Sequence, residues 1–355
     1  MRYCVIMCGG VGSRFWPFSR QEMPKQFHDL FGSGNTLLQS TFERIREIVP
    51  PENVIIVTNR DYLSIIREQL PEVRQENILL EPDRRNTAPC LCWAAHHIYA
   101  RDPEASTVVL PSDHLILKEA AFREALLRGF EFVEGGDRLL TLGIRPTSPH
   151  TGYGYIQRGE PSETEEIRKV KLFTEKPPRE MAEIFVKSGE FFWNAGIFLW
   201  RAESILKAFR DCAPRVAAVF EGGDYSEKGE REFIDRVFPK APSVSIDYAV
   251  MEQAPNVYVE TVDLGWSDLG SWKALYDVSP HNADGNVTQN CRILATDCKG
   301  TIFAVKGEKI IVANGLKDYI VADSENALLI YPIGEEQNLR HIVNEVKERF
   351  GEKFI

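Results

Sequence analysis

The chain has 355 residues, 43% apolar and 26% charged, enough for two domains with buried cores. With 42 Lys plus Arg against 52 Asp plus Glu, its net charge of -10 repels an extended phosphate backbone and argues against a nucleic-acid partner. The longest apolar run, 88–95, is far below the roughly 18 residues needed to span a bilayer. Met1 leads into a strand-like segment instead of a basic leader, so the expectation is a soluble protein, with no membrane partner and a cytoplasmic location.

Taken along the chain, residues 3–8, 54–58, 78–80, 107–110 and 139–143 read as strands, with helices at 36–48, 87–100 and 120–134. The first helix places Leu37, Leu38, Phe42 and Ile45 on one face. This alternation is the pattern of an open parallel sheet, a wound α/β domain covered on both faces. Strands at 170–173, 196–200 and 257–262, with helices at 202–213 and 230–237, continue it. The polar, Gly-ended stretch 281–285 reads as a linker and sets a boundary near 282, dividing the chain into domains over 1–282 and 283–355. Beyond it, strands at 292–295, 301–305, 309–312, 319–321 and 327–331 are separated by Gly300, Gly307, Gly315 and Asp323, which suggests a small β-solenoid-like domain. Residues 335–350 close as a helix. The seven cysteines, mostly in apolar stretches, read as buried free thiols. Neither a Cys-x-x-Cys pair nor a His-Glu-x-x-His motif supports zinc, so any metal is expected to be oxygen-ligated.

Chemistry starts at Cys8-Gly9-Gly10-Val11-Gly12-Ser13-Arg14, directly behind the first strand. Gly9, Gly10 and Gly12 allow backbone N–H groups to approach phosphate oxygens with no Cβ in the way; a simple tight turn is the other reading. Phe15 stands where a dinucleotide loop needs glycine, and no Gly-Lys-Ser/Thr follows for a Walker A loop. Arg14, Arg20 and Lys25, spaced by Pro17 and Pro24, suit a polyphosphate or a solvated basic loop. The run Gly9 to Phe27 resembles the signature of sugar-nucleotide pyrophosphorylases, and Pro24-Lys25-Gln26-Phe27 is similar to their mannose-1-phosphate guanylyltransferase branch. The resemblance implies a Rossmann-like wound mixed sheet, of the nucleotidyltransferase and glycosyltransferase-A-like kind, with a left-handed β-helix-like C-terminal domain.

Later segments fit the same branch. In Glu81-Pro82-Asp83-Arg84-Arg85-Asn86-Thr87-Ala88-Pro89, Asn86 or Thr87 can cap a helix, or Glu81 can offer two acceptors to the adjacent N–H donors of guanine. The resemblance assigns Glu81, Asn86, Thr87 and Ala88 to the base. Pro111-Ser112-Asp113-His114 follows a strand, where a carboxylate can hold Mg²⁺. It makes Asp113 the first metal candidate and puts Ser112 on the nucleotide side. His114 is read as structural or solvent-facing, because an attacking phosphate is already ionised and needs no base. In Gly265-Trp266-Ser267-Asp268-Leu269-Gly270-Ser271-Trp272, the resemblance makes Asp268 the second ligand. Either aspartate alone reads equally as a cap or turn residue.

Toward the sugar, Thr151-Gly152-Tyr153-Gly154-Tyr155-Ile156 reads as a glycine-punctuated strand or, by resemblance, a sugar-side loop containing Gly152. In Phe173-Thr174-Glu175-Lys176-Pro177, Glu175 can bond hydroxyls and Lys176 a sugar phosphate, the alternative being a surface ion pair. Asn194 sits beside Gly196 and can donate and accept toward hydroxyls. Asp247 lies in a segment, 245–252, that reads as a capped helix; in the family its counterpart lies near the site. Thr174, Ala195, Ser13, Phe15 and Phe18 depart from the family's usual choices, with small packing changes expected.

The expected reaction joins GTP and α-mannose 1-phosphate into GDP-mannose and diphosphate, with Arg14, Lys25, Lys176 and Asp113 catalytic and Mg²⁺ on Asp113 and Asp268. Its rivals are another nucleotide and sugar pair, a non-catalytic GDP-mannose sensor, and a nicotinamide oxidoreductase. The absence of the mannose-6-phosphate isomerase domain of longer relatives makes a single activity the expectation, and an exposed β-domain edge points to a homodimer.

Overall fold

The consecutive apolar residues Tyr3-Cys4-Val5-Ile6 lack the alternation of a half-exposed strand, so both faces need cover. In the computed structural model, which describes residues 1–10, 12–305 and 309–355, they lie in an inner strand of a nine-stranded sheet. Val11 and the expected separator Gly307 lie outside the described residues. In chain order the strands are β1 (Arg2–Cys8), β2 (Val54–Asn59), β3 (Ile78–Glu81), β4 (Ser106–Pro111), β5 (Leu115–Ile116), β6 (Leu139–Ile144), β7 (Gly154–Pro161), β8 (Ile167–Glu175) and β9 (Phe191–Arg201). They continue with β10 (Val257–Val262), β11 (Trp266–Ser267), β12 (Val287–Gln289), β13 (Arg292–Thr296), β14 (Ile302–Val305), β15 (Ile310–Asn314), β16 (Tyr319–Asp323) and β17 (Leu328–Pro332).

The chain forms two compact units. The first comprises Met1–Gly9, Glu43–Pro111 and Ile116–Trp266; the second comprises Gly10–Phe42, Ser112–Leu115 and Ser267–Ile355. Residue 282, the expected boundary, falls inside the second.

The first unit holds the large sheet, in the order β3-β2-β1-β4-β9-β6-β10-β8-β7. β1 runs parallel to β2 and β4, but β9 lies antiparallel between β4 and β6, and β7 and β8 are antiparallel to each other. The sheet is therefore mixed; its parallel part alone matches the alternation pattern. Phe198 and Trp200 of β9 face a core with Trp93, Phe209, Phe220 and Phe238. The helix Ala202–Cys212 buries Ala202, Ile205, Leu206 and Phe209, the i, i+3, i+4, i+7 stripe of an amphipathic helix. Leu199 points to the opposite face. There Gly129 of the helix Glu119–Glu134 comes so near that a Cβ would lie 3.0 Å from Leu199 and 3.1 Å from Leu140.

In the second unit, β12, β14 and β16 form a parallel ladder closed by antiparallel β17, and β13 pairs in parallel with β15. Val287, Ile302 and Ile320 share one core with Phe15, Trp16, Phe18, Leu269 and Trp272. Phe15 and Phe18, two of the departures, meet Trp272 at ring separations of 5.2 and 5.4 Å. These aromatics tie the segment behind the glycine loop to the ladder, which is why the unit begins near residue 10. All seven cysteines are free, five of them buried. No described helix is long and apolar enough to cross a membrane.

Candidate active site

In the second unit the site grows from the glycine loop. Gly12 has φ 70°, and a Cβ there would lie 2.7 Å from the Lys25 Cβ, so glycine is required both by conformation and by close approach. Arg14, in the short 3-10 turn Ser13–Phe15, donates from Nη1 to the Gly270 carbonyl at 3.3 Å. Lys25 opens a second such turn, Lys25–Phe27, and its side chain is only 4% exposed. Its Nζ donates to the carbonyls of Asp268 at 2.8 Å and Leu269 at 2.9 Å and pairs with Asp113 Oδ2 at 2.7 Å. Three donors thus meet three acceptors. Gln26, without an expected role, donates from Nε2 to the Gly10 carbonyl at 2.9 Å.

Burial pushes the Asp113 carboxyl upward, but the charges of Lys25 and His114 and the bond from Lys25 outweigh it and hold it below the ordinary carboxylate range. Asp268 Oδ1 accepts from the Gly270 N–H at 2.9 Å. Arg14, Lys25, Asp113 and Asp268 therefore belong to one connected network around Gly270 and Lys25. Ser112 is buried, and its carbonyl accepts from Thr41 Oγ1 at 3.3 Å. Among the described residues, no group of three or more His, Cys, Asp or Glu forms a metal cage. Two carboxylates, one of them held ionised, still fit Mg²⁺, which uses one or two carboxylates and takes further oxygens from substrate phosphates.

In the first unit, a Cβ at Gly9 would lie 3.3 Å from Glu81 Oε2, so this carboxylate borders the start of the glycine loop. Glu81 is buried, which pushes its carboxyl up to about 7 against the opposing charge of Arg84. Asn86, at φ 65°, caps the helix Thr87–Arg101 by accepting the Thr87 N–H at 2.8 Å. Thr87 Oγ1 accepts the Ile246 N–H at 2.8 Å, and the Ala88 N–H donates to Val244 at 3.1 Å. The capping reading of Asn86 is thus realised, and Thr87 and Ala88 hold the segment leading to Asp247.

Glu175 ends β8 and forms an ion pair with Lys176 directly after it, the Glu175 side chain nearly buried and that of Lys176 58% exposed. Lys176 has φ 49°, held by its N–H to the Tyr153 carbonyl at 3.2 Å, while the Glu175 N–H donates to Glu252 Oε1 at 2.9 Å. Gly154 borders the carboxylate: a Cβ there would lie 2.4 Å from Glu175 Oε2 and 3.2 Å from Asn194 Cβ. Gly152 donates its N–H to His150 Nδ1 at 3.1 Å.

The register of β6 against β9 shifts between Thr141 and Gly143, a bulge beside Asn194. Asn194 Oδ1 accepts from Thr141 Oγ1 at 3.0 Å, and its Nδ2 donates to Asp247 Oδ1 at 2.8 Å. Asp247 opens a π-helical turn, Asp247–Met251, where a regular capped helix was expected. Burial, then the nearby Glu175, raise its carboxyl to about 7. Glu175, Lys176, Asn194 and Asp247 are thus brought together. Sequence reasoning gave no role to the aromatic wall beside them: Tyr153 stacks on His150 at 3.9 Å and meets Trp193 at 5.0 Å and Trp266 at 5.3 Å edge-on. Tyr153 and Trp266 lie inside the quoted motifs and Trp193 directly precedes Asn194; Glu252 carried no such signal as an acceptor.

A nucleotidyl transferase family model matches residues 3–285. The chain is 38% identical to the mannose-1-phosphate guanylyltransferase of Escherichia coli (strain K12) over 97% of its own length and 73% of the relative's. It is 37% identical, with the same coverage, to mannose-1-phosphate guanylyltransferase ManC of Salmonella typhimurium. A crystal structure described as mannose-1-phosphate geranyltransferase from Thermus thermophilus superposes with a TM-score of 0.88 at 31% identity, covering 98% of this chain and 99% of that one.

Proposed function

The chain belongs to the nucleotidyl transferase family, and from that premise we propose that it is a mannose-1-phosphate guanylyltransferase, converting GTP and α-mannose 1-phosphate to GDP-mannose and diphosphate. The observation that carries this reading is the Lys25 node, which joins Asp113 to the Asp268 turn on which Arg14 also rests. A sugar-phosphate oxygen attacks the α-phosphorus in line. The bond to the bridging oxygen breaks, and its electron pair leaves with diphosphate. The nucleophile is already ionised, so catalysis rests on positioning and charge neutralisation.

Arg14 and Lys25, with amides of Gly9, Gly10, Gly12 and Ser13, take the β- and γ-phosphates, Lys25 exchanging one present acceptor for a phosphate oxygen. Ser112 lies on the same nucleotide side. Asp113 and Asp268 hold Mg²⁺, which when bound neutralises charge on the nucleotide phosphates. Lys176 steers the sugar phosphate, and Glu175, Asn194, Asp247 and the loop at Gly152 address the hydroxyls. Glu81 takes the guanine edge, with Asn86, Thr87 and Ala88 shaping its surroundings. The catalytic domain is taken as 1–282, supported by the family match to 285, with a β domain over 283–355. A cytoplasmic homodimer belongs to the same proposal, with the exposed Leu294, Ile310 and Val312 of the β domain as its support.

Diphosphate release measured for each nucleoside triphosphate with each sugar 1-phosphate tests the reading. GTP with mannose 1-phosphate is expected to be fastest; faster turnover of UTP or ATP with glucose 1-phosphate would falsify it.

Glu81 adds a pH dependence. Only its ionised form accepts two N–H donors, and the carboxyl titrates at about 7. Affinity for GDP-mannose, whose diphosphate carries no group titrating near 7, is therefore expected to weaken about tenfold from pH 8 to pH 6. Calorimetric titration across that range checks it. Glu81→Gln should bind more weakly at pH 8 and lose much of the slope, the remainder belonging to Asp247, whose carboxyl also lies at about 7; a slope unchanged in the variant removes Glu81 from base recognition.

A further inference from the structure

We propose that Glu336, in the C-terminal segment beyond the family match, is a positioning residue for the Asp268 turn and for Arg14, a role that rests on the reading of Arg14, Lys25, Asp113 and Asp268 given above. Glu336 lies in the short helix Ile333–Asn338, whose flanking Ile333 and Leu339 anchor in the core of the second unit. Its side chain is buried, and a buried carboxylate is costly unless specifically bonded. Its partners are specific. Oε2 accepts the Lys273 N–H at 2.8 Å, and the carboxylate also hydrogen-bonds the Ser271 side chain. Ser271 in turn caps the helix Trp272–Val278 by accepting the Ala274 N–H at 3.2 Å.

Glu336 therefore clamps the backbone immediately after Gly270. That residue binds both partners of interest: its N–H donates to the Asp268 carboxylate at 2.9 Å, and its carbonyl accepts from Arg14 at 3.3 Å. One residue earlier, the Leu269 carbonyl takes Lys25 Nζ. Glu336 thus reaches Asp268, Arg14 and Lys25 through its bonds to Ser271 and Lys273 and the few residues of backbone from there to Asp268, with Leu269 at φ 44° among them. Burial raises the Glu336 carboxyl above its ordinary range, opposed in part by the bonds from Lys273 and Ser271 and by the charges of Arg14 and Lys273. A residue outside the family domain, 68 positions after Asp268 by subtraction of their numbers, holds the geometry of that aspartate.

The test compares wild type, Glu336→Gln and Asp113→Asn in the full chain. Mn²⁺ affinity is read by electron paramagnetic resonance, alongside kcat, KM and Tm. Glu336→Gln keeps the shape and an oxygen acceptor, so Tm should fall by less than about 4 °C. Mn²⁺ affinity and kcat should each drop about tenfold, the scale of an outer-shell partner, while KM for mannose 1-phosphate stays within twofold. Glu336→Asp, which keeps the charge, should recover part of the lost kcat and serves as the second variant should the glutamine form not fold. Mn²⁺ affinity and kcat within twofold of wild type in Glu336→Gln, with Asp113→Asn weakened, overturn the positioning role alone. If Asp113→Asn also binds Mn²⁺ normally, the underlying site reading fails and the proposal falls with it.

Discussion

Lys25→Ala is expected to lower turnover by on the order of a hundredfold or more, the scale on which deleting one fixed electrostatic group acts. The ammonium is buried and fully used, by Asp113 and by the carbonyls of Asp268 and Leu269. Truncation leaves a carboxylate and two carbonyls without their donor. It also removes the charge assigned to the β- and γ-phosphates. Stability should fall as well, by about 3 kcal/mol, the low end for breaking a buried pair, because the Asp113 side chain keeps 31% of its exposure. Steady-state kinetics and thermal denaturation separate the two effects. Loss of stability with near-normal turnover at a permissive temperature makes Lys25 a strut and ends its assignment to phosphate. Lys25→Arg keeps the charge, yet a planar fork cannot reproduce three converging ammonium bonds, so little rescue is expected.

Asp113→Asn is expected to cost a similar factor, on the order of a hundredfold in kcat, for a different reason. The substitution keeps shape and removes the charge that Lys25 and His114 hold ionised below the ordinary range. An amide oxygen is a weaker ligand for a hard cation, so saturation should require a higher Mg²⁺ concentration. Turnover measured against free Mg²⁺ checks this. An unchanged Mg²⁺ dependence with lowered kcat would place Asp113 in the Lys25 network only, not in metal binding.

Much of the candidate site is legible from residue order because its proposed motifs are local. The glycine loop, the Glu81 segment, the Asp113 turn, and Glu175 with Lys176 each carry their chemistry within a few residues of a strand end, and strand ends follow from apolar runs. What is not legible is whatever depends on a distant partner. The resemblance names Gly152 on the sugar side, while the close approach of Gly154 to Glu175 has no local signal, because it follows from the register in which β7 pairs with β8. The linker-like composition of 281–285 suggests a boundary there, whereas Phe15, Trp16 and Phe18 join the ladder core and place residue 282 within a unit.

By itself the amino-acid order determined the α/β class, the positions of most strands, and where the proposed phosphate loop, carboxylates and cations stand along the chain. Tertiary structure alone decided that β9 enters antiparallel between β4 and β6, that Lys25 spends all three donors on Asp113 and the Asp268 turn, and that Glu336 clamps Gly270's neighbours. The reason is physical: hydrophobic period and turn chemistry act over a few residues, while strand direction and buried hydrogen-bond partners are chosen only when distant segments compete for the same donors, acceptors and core volume.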